Sequence, residues 1–213
     1  FTIMPGPQTR QAIPFSKRIK QEFPNTYMIW GGYFPTNHYK TVLQSGYVDF
    51  VINGPGDHAF PQLIEALENN TPYELIKNLI YRSGDNIIKN AKQDLIEQDT
   101  LPALPYDTLD KLYPIDKFYL GKTYLGTRTL AYHSSIGCPF TCSFCAVVPT
   151  YEARWKAKSA QHVYSDIKYV KEKWGANAIE FHDNNFFVSE KRTVEFSKLI
   201  RPEKMNWWGM ARI

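Results

Sequence analysis

The chain has 213 residues, of which 43% are hydrophobic and 22% are charged, a composition typical of a globular protein and not of a disordered one. This length is enough for one large or two small domains with their own cores. The net charge is +4, but the basic residues are dispersed among acidic ones, so we expect no nucleic-acid partner. Because no apolar run is long enough to span a membrane and no signal peptide opens the chain, we also expect no membrane insertion.

Both ends of the sequence are strand-like. The first four residues form an apolar run without an initiator Met, and residues 209–213 end the chain with no closing helix or tail. We therefore expect this chain to be a fragment of a longer protein.

Residues 1–70 alternate strand and helix patterns, which favours a parallel α/β sheet. Strands are predicted at 1–4, 27–30 and 48–52, and the second is entirely apolar, as expected of a strand covered on both faces. Three helices are predicted from apolar residues at helical spacing. Their inward-facing residues are predicted to be Ala12, Phe15, Ile19 and Phe23, then Tyr39, Val42 and Leu43, then Phe60, Leu63, Ile64 and Leu67.

A pair of glycines follows each of the later two strands. Gly31 and Gly32 follow the second strand, and Gly54 and Gly56 follow the third. These turns are expected at the carboxyl edge of the sheet, where ligands bind in open α/β folds and where glycine lets a bulky ligand approach the backbone. Neither pair matches a phosphate-loop pattern, so from the residues alone ordinary tight turns are the simpler interpretation.

Residues 71–125 are predicted to form a connector. A β-hairpin is expected there, with strands at 75–82 and 86–89 around a glycine turn. Residues 100–107 are rich in proline and turn formers, which is typical of a stiff inter-domain linker. The aromatic stretch at 113–124 is interpreted as packing against the next domain.

A second strand and helix pattern begins at residue 126. Strands are predicted at 129–136, at 178–182 and from Asn206 onward. They alternate with two helices, one ended by Gly175 and one capped by Ser189. The apolar faces of these helices are predicted to carry Val163, Ile167, Val170 and Trp174, and Phe196, Leu199 and Ile200. This order is that of a barrel whose site lies at the carboxyl ends of the strands.

All the cysteines of the chain lie in one short run, at Cys138, Cys142 and Cys145. Thiolates are the usual ligands of iron–sulfur clusters, and three of them leave one iron of a four-iron cluster without a protein ligand. A disulfide framework would leave one cysteine unpaired. A zinc site would need a fourth ligand such as His133 or His182, neither at a finger-like spacing; these two are otherwise interpreted as packed strand histidines. Three clustered cysteines fit a reducing cytoplasm better than an oxidising compartment.

At residues 138–145 the sequence resembles the radical S-adenosylmethionine (SAM) enzymes, whose hallmark is CxxxCxΦC with an aromatic residue before the last cysteine. Here that residue is Phe144. In the family the three cysteines hold a 4Fe–4S cluster, and the open iron chelates the amino and carboxylate groups of SAM. An electron from the cluster then cleaves SAM to methionine and a 5′-deoxyadenosyl radical. The resemblance implies these metal-binding roles for the three cysteines and a position beside the adenine for Phe144.

The resemblance extends to polar residues after two later strands. Asp183 and Asn184 lie in a stretch similar to the DD.F pattern of cobalamin-type members, and we expect them to bind the amino group or ribose of SAM. Arg212, expected on the third strand, can pair with the methionine carboxylate. The alternatives are a turn or helix cap for Asp183 and an ordinary surface position for Arg212.

Residues 30–36 and 48–57 look like the second half of a cobalamin-binding domain, which in this family commonly precedes the radical SAM domain. The sequence departs from the usual pattern at Tyr33-Phe34, and it has Pro55 and Asp57 where Glu is common. Residues 100–107 also resemble the segment that joins the two domains. The resemblance implies that the glycine turns line a pocket for the lower face and nucleotide tail of cobalamin, so that Gly31, Gly32, Gly54 and Gly56 are cofactor-binding.

The resemblance implies an α/β protein: the C-terminal half of a Rossmann-like cobalamin-binding domain (1–70), a connector (71–125) and the first part of a partial (β/α) TIM-like radical SAM barrel (126–213). The expected activity is SAM cleavage at the 4Fe–4S cluster, for cobalamin-dependent methylation of an unactivated carbon in a small-molecule substrate. The expected reducing partner is a flavodoxin or ferredoxin, in an anaerobic or microaerobic cytoplasm. The alternatives are a radical SAM cyclase or rearrangement enzyme, a non-enzymatic zinc-binding module, and a cobalamin fold that binds no cobalamin.

Overall fold

The structure, a computed structural model, describes residues 1–212. They form a mixed α/β fold that divides into two compact units. The first unit consists of Phe1–Asp94 and Thr141–Glu152, and the second of Leu95–Phe140 and the stretch that begins at Ala153. None of the helices in the described part of the chain is long and apolar enough to cross a membrane.

Ten strands and nine α-helices are found among the described residues. The strands are β1 (Ile29–Trp30), β2 (Phe50–Ile52), β3 (Leu79–Ser83), β4 (Asn86–Lys89), β5 (Leu120–Gly121), β6 (Thr129–Tyr132), β7 (Ser135–Gly137), β8 (Trp155–Ala157), β9 (Ala178–Phe181) and β10 (Asn206–Gly209). The helices are α1 (Pro7–Glu22), α2 (Tyr33–Asn37), α3 (Tyr39–Gln44), α4 (Ala59–Glu68), α5 (Tyr106–Leu112), α6 (Ile115–Phe118), α7 (Val147–Tyr151), α8 (Ala160–Trp174) and α9 (Glu190–Ile200). Short 3₁₀ turns lie at Gln98–Thr100, Phe186–Val188 and Arg201–Glu203.

The first unit is built on a sheet of order β1-β2-β3-β4. Strands β1 and β2 are parallel, and β3 and β4 form an antiparallel hairpin with the two residues Gly84 and Asp85 between them. The hairpin was expected in a connector, but β3 pairs antiparallel with β2, so it belongs to the first sheet. The strand predicted at 1–4 is reduced to one parallel bridge, from Thr2 to Gly31. Gly31 also bonds through its backbone to Phe1 and Ile3, each over 2.8 Å, so this segment lies beside the end of β1.

The buried face of α1 differs from the predicted one. Phe15 and Phe23 were expected to point inward, but 60% and 59% of their surface is exposed. Ala12 is buried as predicted, and Ser16, which was not predicted, is buried beside it. The reason is Trp30, which is 1% exposed in the core and whose indole N–H donates to the Ser16 hydroxyl over 3.1 Å. A buried indole needs an acceptor, and this requirement sets the helix face.

The second unit is built on a sheet of order β10-β9-β6-β5. Strands β6, β9 and β10 are parallel, and β5 is antiparallel to β6. One face of this sheet packs into a core that includes Leu130, Ile179 and Phe181, together with apolar residues of α8 and α9. The helix ends agree with the sequence predictions: the Ser189 side chain accepts from the Arg192 N–H at the start of α9, and Gly175 ends α8 with a φ of 68°.

The single strand predicted at 129–136 is two strands. The chain leaves the sheet after β6, bends at His133 and Ser134, and continues as β7, which pairs antiparallel with β8. The bend is fixed by the buried carboxylate of Asp183, which follows β9. A hydrophobicity pattern does not show such a long-range contact, which is why the two strands were merged.

Phe181 is the residue whose loss is expected to cost the second unit most. Its ring lies within 6.1 Å, centre to centre, of four other aromatic rings, including Phe186 at 4.3 Å and Trp207 at 5.9 Å. Phe181→Ala is expected to lower the free energy of unfolding by about 3–5 kcal/mol. The control, Phe118→Ala, removes a ring that is 67% exposed and is expected to cost less than about 1 kcal/mol. Urea denaturation followed by tryptophan fluorescence measures both, and equal losses would contradict the assigned core.

Candidate functional site

The cysteine run forms a turn that leads into α7. The Cys145 N–H donates to the Cys142 carbonyl over 3.1 Å, and the Val148 N–H donates to the Cys145 carbonyl over 3.3 Å. All three cysteines are free thiols of intermediate burial, so the disulfide interpretation is not supported. Cys138 falls in the second unit, and Cys142 and Cys145 fall in the first. Phe144, between the last two cysteines, is 91% exposed.

Across residues 1–212, no group of three or more His, Cys, Asp or Glu side chains is arranged so that it could hold a metal ion. This holds for the three cysteines themselves and for their combinations with His133 or His182. The chemistry of the donor set still fits an iron–sulfur cluster, because three free thiols at this spacing are suitable iron ligands. The metal-binding roles of the cysteines therefore stay predictions.

A cavity of about 530 Å³ lies beside the cysteine turn, within the first unit. Cys142, Phe144 and Cys145 line one side, and residues of α2, α3 and β4 line the other. Among the latter, the Lys89 ammonium group lies 4.9 Å from the centre of the Tyr39 ring. Sequence reasoning missed Lys89, because an isolated lysine at the end of a hairpin strand gives no signal of function.

The four glycines selected from the sequence line one cavity of about 420 Å³ in the first unit, here called the glycine-lined cavity. Its glycines are Gly31 and Gly32 after β1 and Gly54 and Gly56 after β2, with Phe1, Thr2, Ile29, Ile52 and Phe60 completing the wall. The parallel pairing of β1 and β2 puts both turns at the same sheet edge. Phe60 was predicted to face inward, but it is 47% exposed because it forms part of this wall.

The fold needs two of these glycines more than the other two. Gly32 has a φ of 97°, and a Cβ there would lie 2.8 Å from the Ile3 carbonyl oxygen. Gly54 has a φ of 99°, and its Cβ would lie 3.2 Å from the Thr150 carbonyl oxygen. At Gly31 and Gly56, in contrast, a Cβ would make ordinary contacts with Ile52 at 3.7 and 3.5 Å. A methyl group at either of these two positions would therefore fit the backbone but enter the cavity.

Asn53, directly before Gly54, is a feature that sequence reasoning missed. Its side chain is 1% exposed, and neither its amide nitrogen nor its amide oxygen has a hydrogen-bond partner in the structure. Burying an unpaired amide is unfavourable, and Asn53 is not among the residues that line the glycine-lined cavity. The only signal in the sequence is an asparagine that directly follows an all-apolar strand.

Asp183 is fully buried at the end of β9, and its carboxylate bonds to the bend between β6 and β7. One oxygen accepts the Ser134 N–H over 2.6 Å and the Ser135 N–H over 3.2 Å. The other accepts both serine hydroxyls, with the Ser135 hydroxyl at 2.7 Å. Both oxygens are thus engaged by the chain itself. This geometry favours the structural alternative for Asp183, and a contact with SAM stays a prediction.

Arg192 of α9 completes this network and was also missed. Its side chain is buried, and its guanidinium donates to the Ser134 hydroxyl and carbonyl and, over 2.7 Å, to the Lys158 carbonyl. Burial lowers the pKa of Arg192, and the nearby charge of Asp183 opposes that shift. The two opposite charges are linked through one serine hydroxyl. We refer to these four side chains, Ser134, Ser135, Asp183 and Arg192, as the bend network.

The remaining predicted residues of the second unit lie near strand ends. Asn184 is partly buried next to Asp183. Arg212 was expected on the third strand, but β10 ends at Gly209, because the next carbonyl, of Met210, accepts from the Phe186 N–H over 2.9 Å. The exposed guanidinium of Arg212 lies 4.3 Å from the centre of the Phe140 ring. Its proposed contact with a carboxylate stays a prediction.

Comparison with curated proteins finds relatives that are named as enzymes. The chain is 27% identical over 206 residues to an uncharacterized methyltransferase of Pyrococcus horikoshii, covering 95% of this chain and 43% of that protein. It is 25% identical over 190 residues to the anaerobic magnesium-protoporphyrin IX monomethyl ester cyclase of Synechocystis sp., covering 88% of this chain and 36% of that enzyme. The chain thus spans less than half the length of these relatives. No protein-family model matches it.

Solved structures share the fold over most of the chain. The cobalamin-dependent S-adenosylmethionine radical enzyme OxsB, solved with aqua-cobalamin and SAM, has a TM-score of 0.75 at 13% identity and is matched over 98% of this chain and 29% of its own. The radical SAM methyltransferase TsrM from Kitasatospora setae was solved with cobalamin and a 4Fe–4S cluster. It has a TM-score of 0.61 at 13% identity, and the match covers 91% of this chain and 39% of that chain. The resemblance identified in the sequence is therefore confirmed.

The bend network predicts a large effect from a small substitution. Asp183→Asn replaces a carboxylate oxygen that accepts two hydrogen bonds with an NH₂ group, which leaves buried donors unpaired. The expected loss in the free energy of unfolding is about 2 kcal/mol or more. The matched control Asp85→Asn lies in the exposed hairpin turn and is expected to change stability by less than about 0.5 kcal/mol. Urea denaturation measures both, and hydrogen exchange at the Ser134 and Ser135 amides should speed up only in the first variant.

Proposed function

We propose that this chain is part of a cobalamin-dependent radical SAM enzyme that methylates an unactivated carbon of a small-molecule substrate. The observation that carries the proposal is the glycine-lined cavity, where the four glycines selected for cobalamin meet. The fold shared with two cobalamin-dependent SAM radical proteins supports it. Because the chain spans less than half of its curated relatives, the activity is proposed for the whole protein.

In this proposal the first unit contributes the C-terminal half of a Rossmann-like cobalamin-binding domain. The second unit contributes the first part of a partial (β/α) barrel, and the parallel order of β6, β9 and β10, with α8 and α9 as connections, supports this assignment. The connector at 71–125 is shorter than expected at its amino end, since the hairpin pairs with the first sheet.

Cys138, Cys142 and Cys145 are proposed to hold a 4Fe–4S cluster, and the exposed ring of Phe144 to contact the adenine of SAM. When bound, the cluster with SAM supplies a 5′-deoxyadenosyl radical and cobalamin supplies a methyl group. The chain's own residues bind and orient these groups and exclude water. Asn184 and Arg212 are proposed to hydrogen-bond SAM, with Asp183 acting chiefly on the bend before Cys138. A flavodoxin or ferredoxin is the proposed electron donor.

The glycine-lined cavity fits the lower face of cobalamin because it is a cradle that side chains would fill. Gly31 and Gly56 keep it open without any backbone requirement of their own. We propose that these residues hold cobalamin in the whole protein.

A second candidate function is cyclisation. The observation that favours it is the relative from Synechocystis sp., which is named as a cyclase and matches 88% of this chain. The same cofactor-binding residues would serve either reaction, and analysis of the product formed by the full-length enzyme separates the two.

The test of the proposed function is anaerobic reconstitution of the full-length protein with iron and sulfide, followed by EPR of the reduced protein with and without SAM. A 4Fe–4S signal that shifts when SAM is added is the expected result. Replacing any one of Cys138, Cys142 and Cys145 by serine is expected to abolish the signal, because each substitution removes one of the three proposed thiolate ligands. Stoichiometric zinc with no cluster would refute the proposal and favour a zinc-binding module.

The glycine-lined cavity gives a separate prediction for cobalamin. Gly31→Ala adds a methyl group that contacts Ile52 at an ordinary distance of 3.7 Å and extends into the cavity. We expect normal folding but cobalamin affinity about ten-fold weaker, from the cost of overpacking. Absorbance titration of the full-length protein measures this affinity.

The control for this experiment is Gly121→Ala, whose added methyl group meets no atom within 4 Å and which lies outside the cavity. It is expected to bind cobalamin like the unchanged protein. Cobalamin affinity that is the same in Gly31→Ala and Gly121→Ala would show that the cavity is not the cobalamin site. Gly32→Ala is unsuitable here, because its Cβ would collide with the backbone of Ile3 and destabilise the fold.

A further inference from the structure

The two faces of the second sheet differ towards the carboxyl ends of its strands. On one face, Leu130, Ile179 and Phe181 are buried in the core. On the opposite face, Ala131, Glu180 and Trp208 are register neighbours on β6, β9 and β10. Ala131 is exposed, Glu180 is partly exposed, and Trp208 is 39% exposed. We call these three residues, with the two histidines that follow β6 and β9, the open face.

The two histidines of the open face contact each other. His133 follows β6 and His182 follows β9, and their rings lie edge to face with centres 5.9 Å apart. Nε2 of His182 lies 3.6 Å from a carboxylate oxygen of Glu180. The sequence favoured packed strand histidines, but both side chains are exposed. β6 and β9 end before the histidines, so both rings are partly exposed although they pack against each other.

The open face is rich in hydrogen-bond acceptors. Desolvation lowers the pKa of His133 below its usual value, opposed by Asp183 and reinforced by His182, so the His133 ring is neutral at neutral pH and one of its nitrogens accepts hydrogen bonds. The carboxylate of Glu180 only accepts. Asp183 is the other charged group facing the pair, and its oxygens are engaged by Ser134 and Ser135, with Arg192 behind them.

The hydrogen-bond acceptors of the open face and the negative charge of Glu180 determine which kind of ligand can bind there. An anionic group would be repelled by Glu180, whereas a hydroxyl or ammonium group can donate to Glu180 or to a neutral imidazole. Trp208, directly beside Glu180 in the sheet register, offers an aromatic surface to an apolar body, and to a cation as well. Ala131 on the other side of Glu180 leaves space because its side chain is small.

We propose that the open face, through Glu180, His133, His182 and Trp208, binds the substrate by a hydrogen-bond-donating group, a hydroxyl or an ammonium, carried on an apolar body. This inference rests on the proposed function, since it places the substrate of that enzyme. It also follows from the position of the residues, because the carboxyl ends of parallel strands are the edge at which α/β barrels bind their substrates.

The test uses full-length protein and three small probes of one size: benzyl alcohol, benzylamine and benzoate. Saturation-transfer difference NMR at neutral pH is expected to show binding of the first two and not of benzoate. In the variant with both His133→Ala and His182→Ala, benzyl alcohol is expected to bind about five-fold more weakly, the effect of one lost hydrogen bond. In Glu180→Gln, the binding of benzylamine is expected to weaken more than the binding of benzyl alcohol. This difference shows whether the site prefers an ammonium or a hydroxyl group.

The control is His58→Ala, which removes an exposed histidine at the start of α4 and is expected to leave probe binding unchanged. All the substituted side chains are partly or fully exposed, so the melting temperature should not fall; if the double variant unfolds, the two single variants replace it. Binding of benzoate alone, or binding unaffected by the open-face substitutions, would overturn the proposal.

The failure of this inference can be told apart from failure of the proposed function. Excess SAM is expected not to displace benzyl alcohol from the reconstituted protein; displacement would assign the open face to SAM and overturn the substrate role. The SAM-dependent shift of the EPR signal is expected to persist in Glu180→Gln. If the probes bind but the protein forms no cluster, the proposed function is refuted and the open face cannot be its substrate site. The open face would then remain a binding site for another ligand.

Discussion

The hydrogen bonds between Asp183 and the two serines are the interaction on which the second unit depends. One buried carboxylate accepts two backbone N–H groups and two hydroxyls, so it satisfies the backbone donors where the chain turns from β6 into β7. Because such groups are costly to bury unpaired, the bend exists only with the carboxylate in place. Arg192 supplies the compensating charge through the Ser134 hydroxyl. The end of β9, the bend and α9 are therefore held as one piece.

This interaction also shows what could and could not be predicted about Asp183 from the sequence. Position was predictable: Asp183 follows an apolar strand, and its location at the strand end is as expected. Its partners were not, since Ser134 lies 49 residues earlier and serine is common in any turn. The sequence therefore predicted a contact with SAM, with a turn or helix cap as the alternative, and in the structure both carboxylate oxygens accept hydrogen bonds from the chain itself. The partners of a buried polar group are set by tertiary contacts, and a local sequence pattern contains no information about them.

The same distinction runs through the fold. Features decided within a few residues were predicted, such as the Ser189 cap, the left-handed Gly175 and the hairpin turn at Gly84. Features that depend on a distant partner were not. The hairpin was found but not its pairing with β2, and α1 was found but not the face that it turns toward Trp30. Local chemistry determines where elements begin and end, and long-range pairing determines what they cover.

The glycine turns combine both kinds of constraint, and the structure separates them. Gly32 and Gly54 have positive φ angles and lie against backbone oxygens, so the fold alone accounts for them. Gly31 and Gly56 have neither feature, yet a larger side chain at either would occupy the cavity. A glycine lowers stability through its extra freedom in the unfolded chain. At a position where the fold does not require glycine, open space for a ligand is a physical reason for having one. Gly31 and Gly56 therefore indicate a binding site more strongly than Gly32 and Gly54 do.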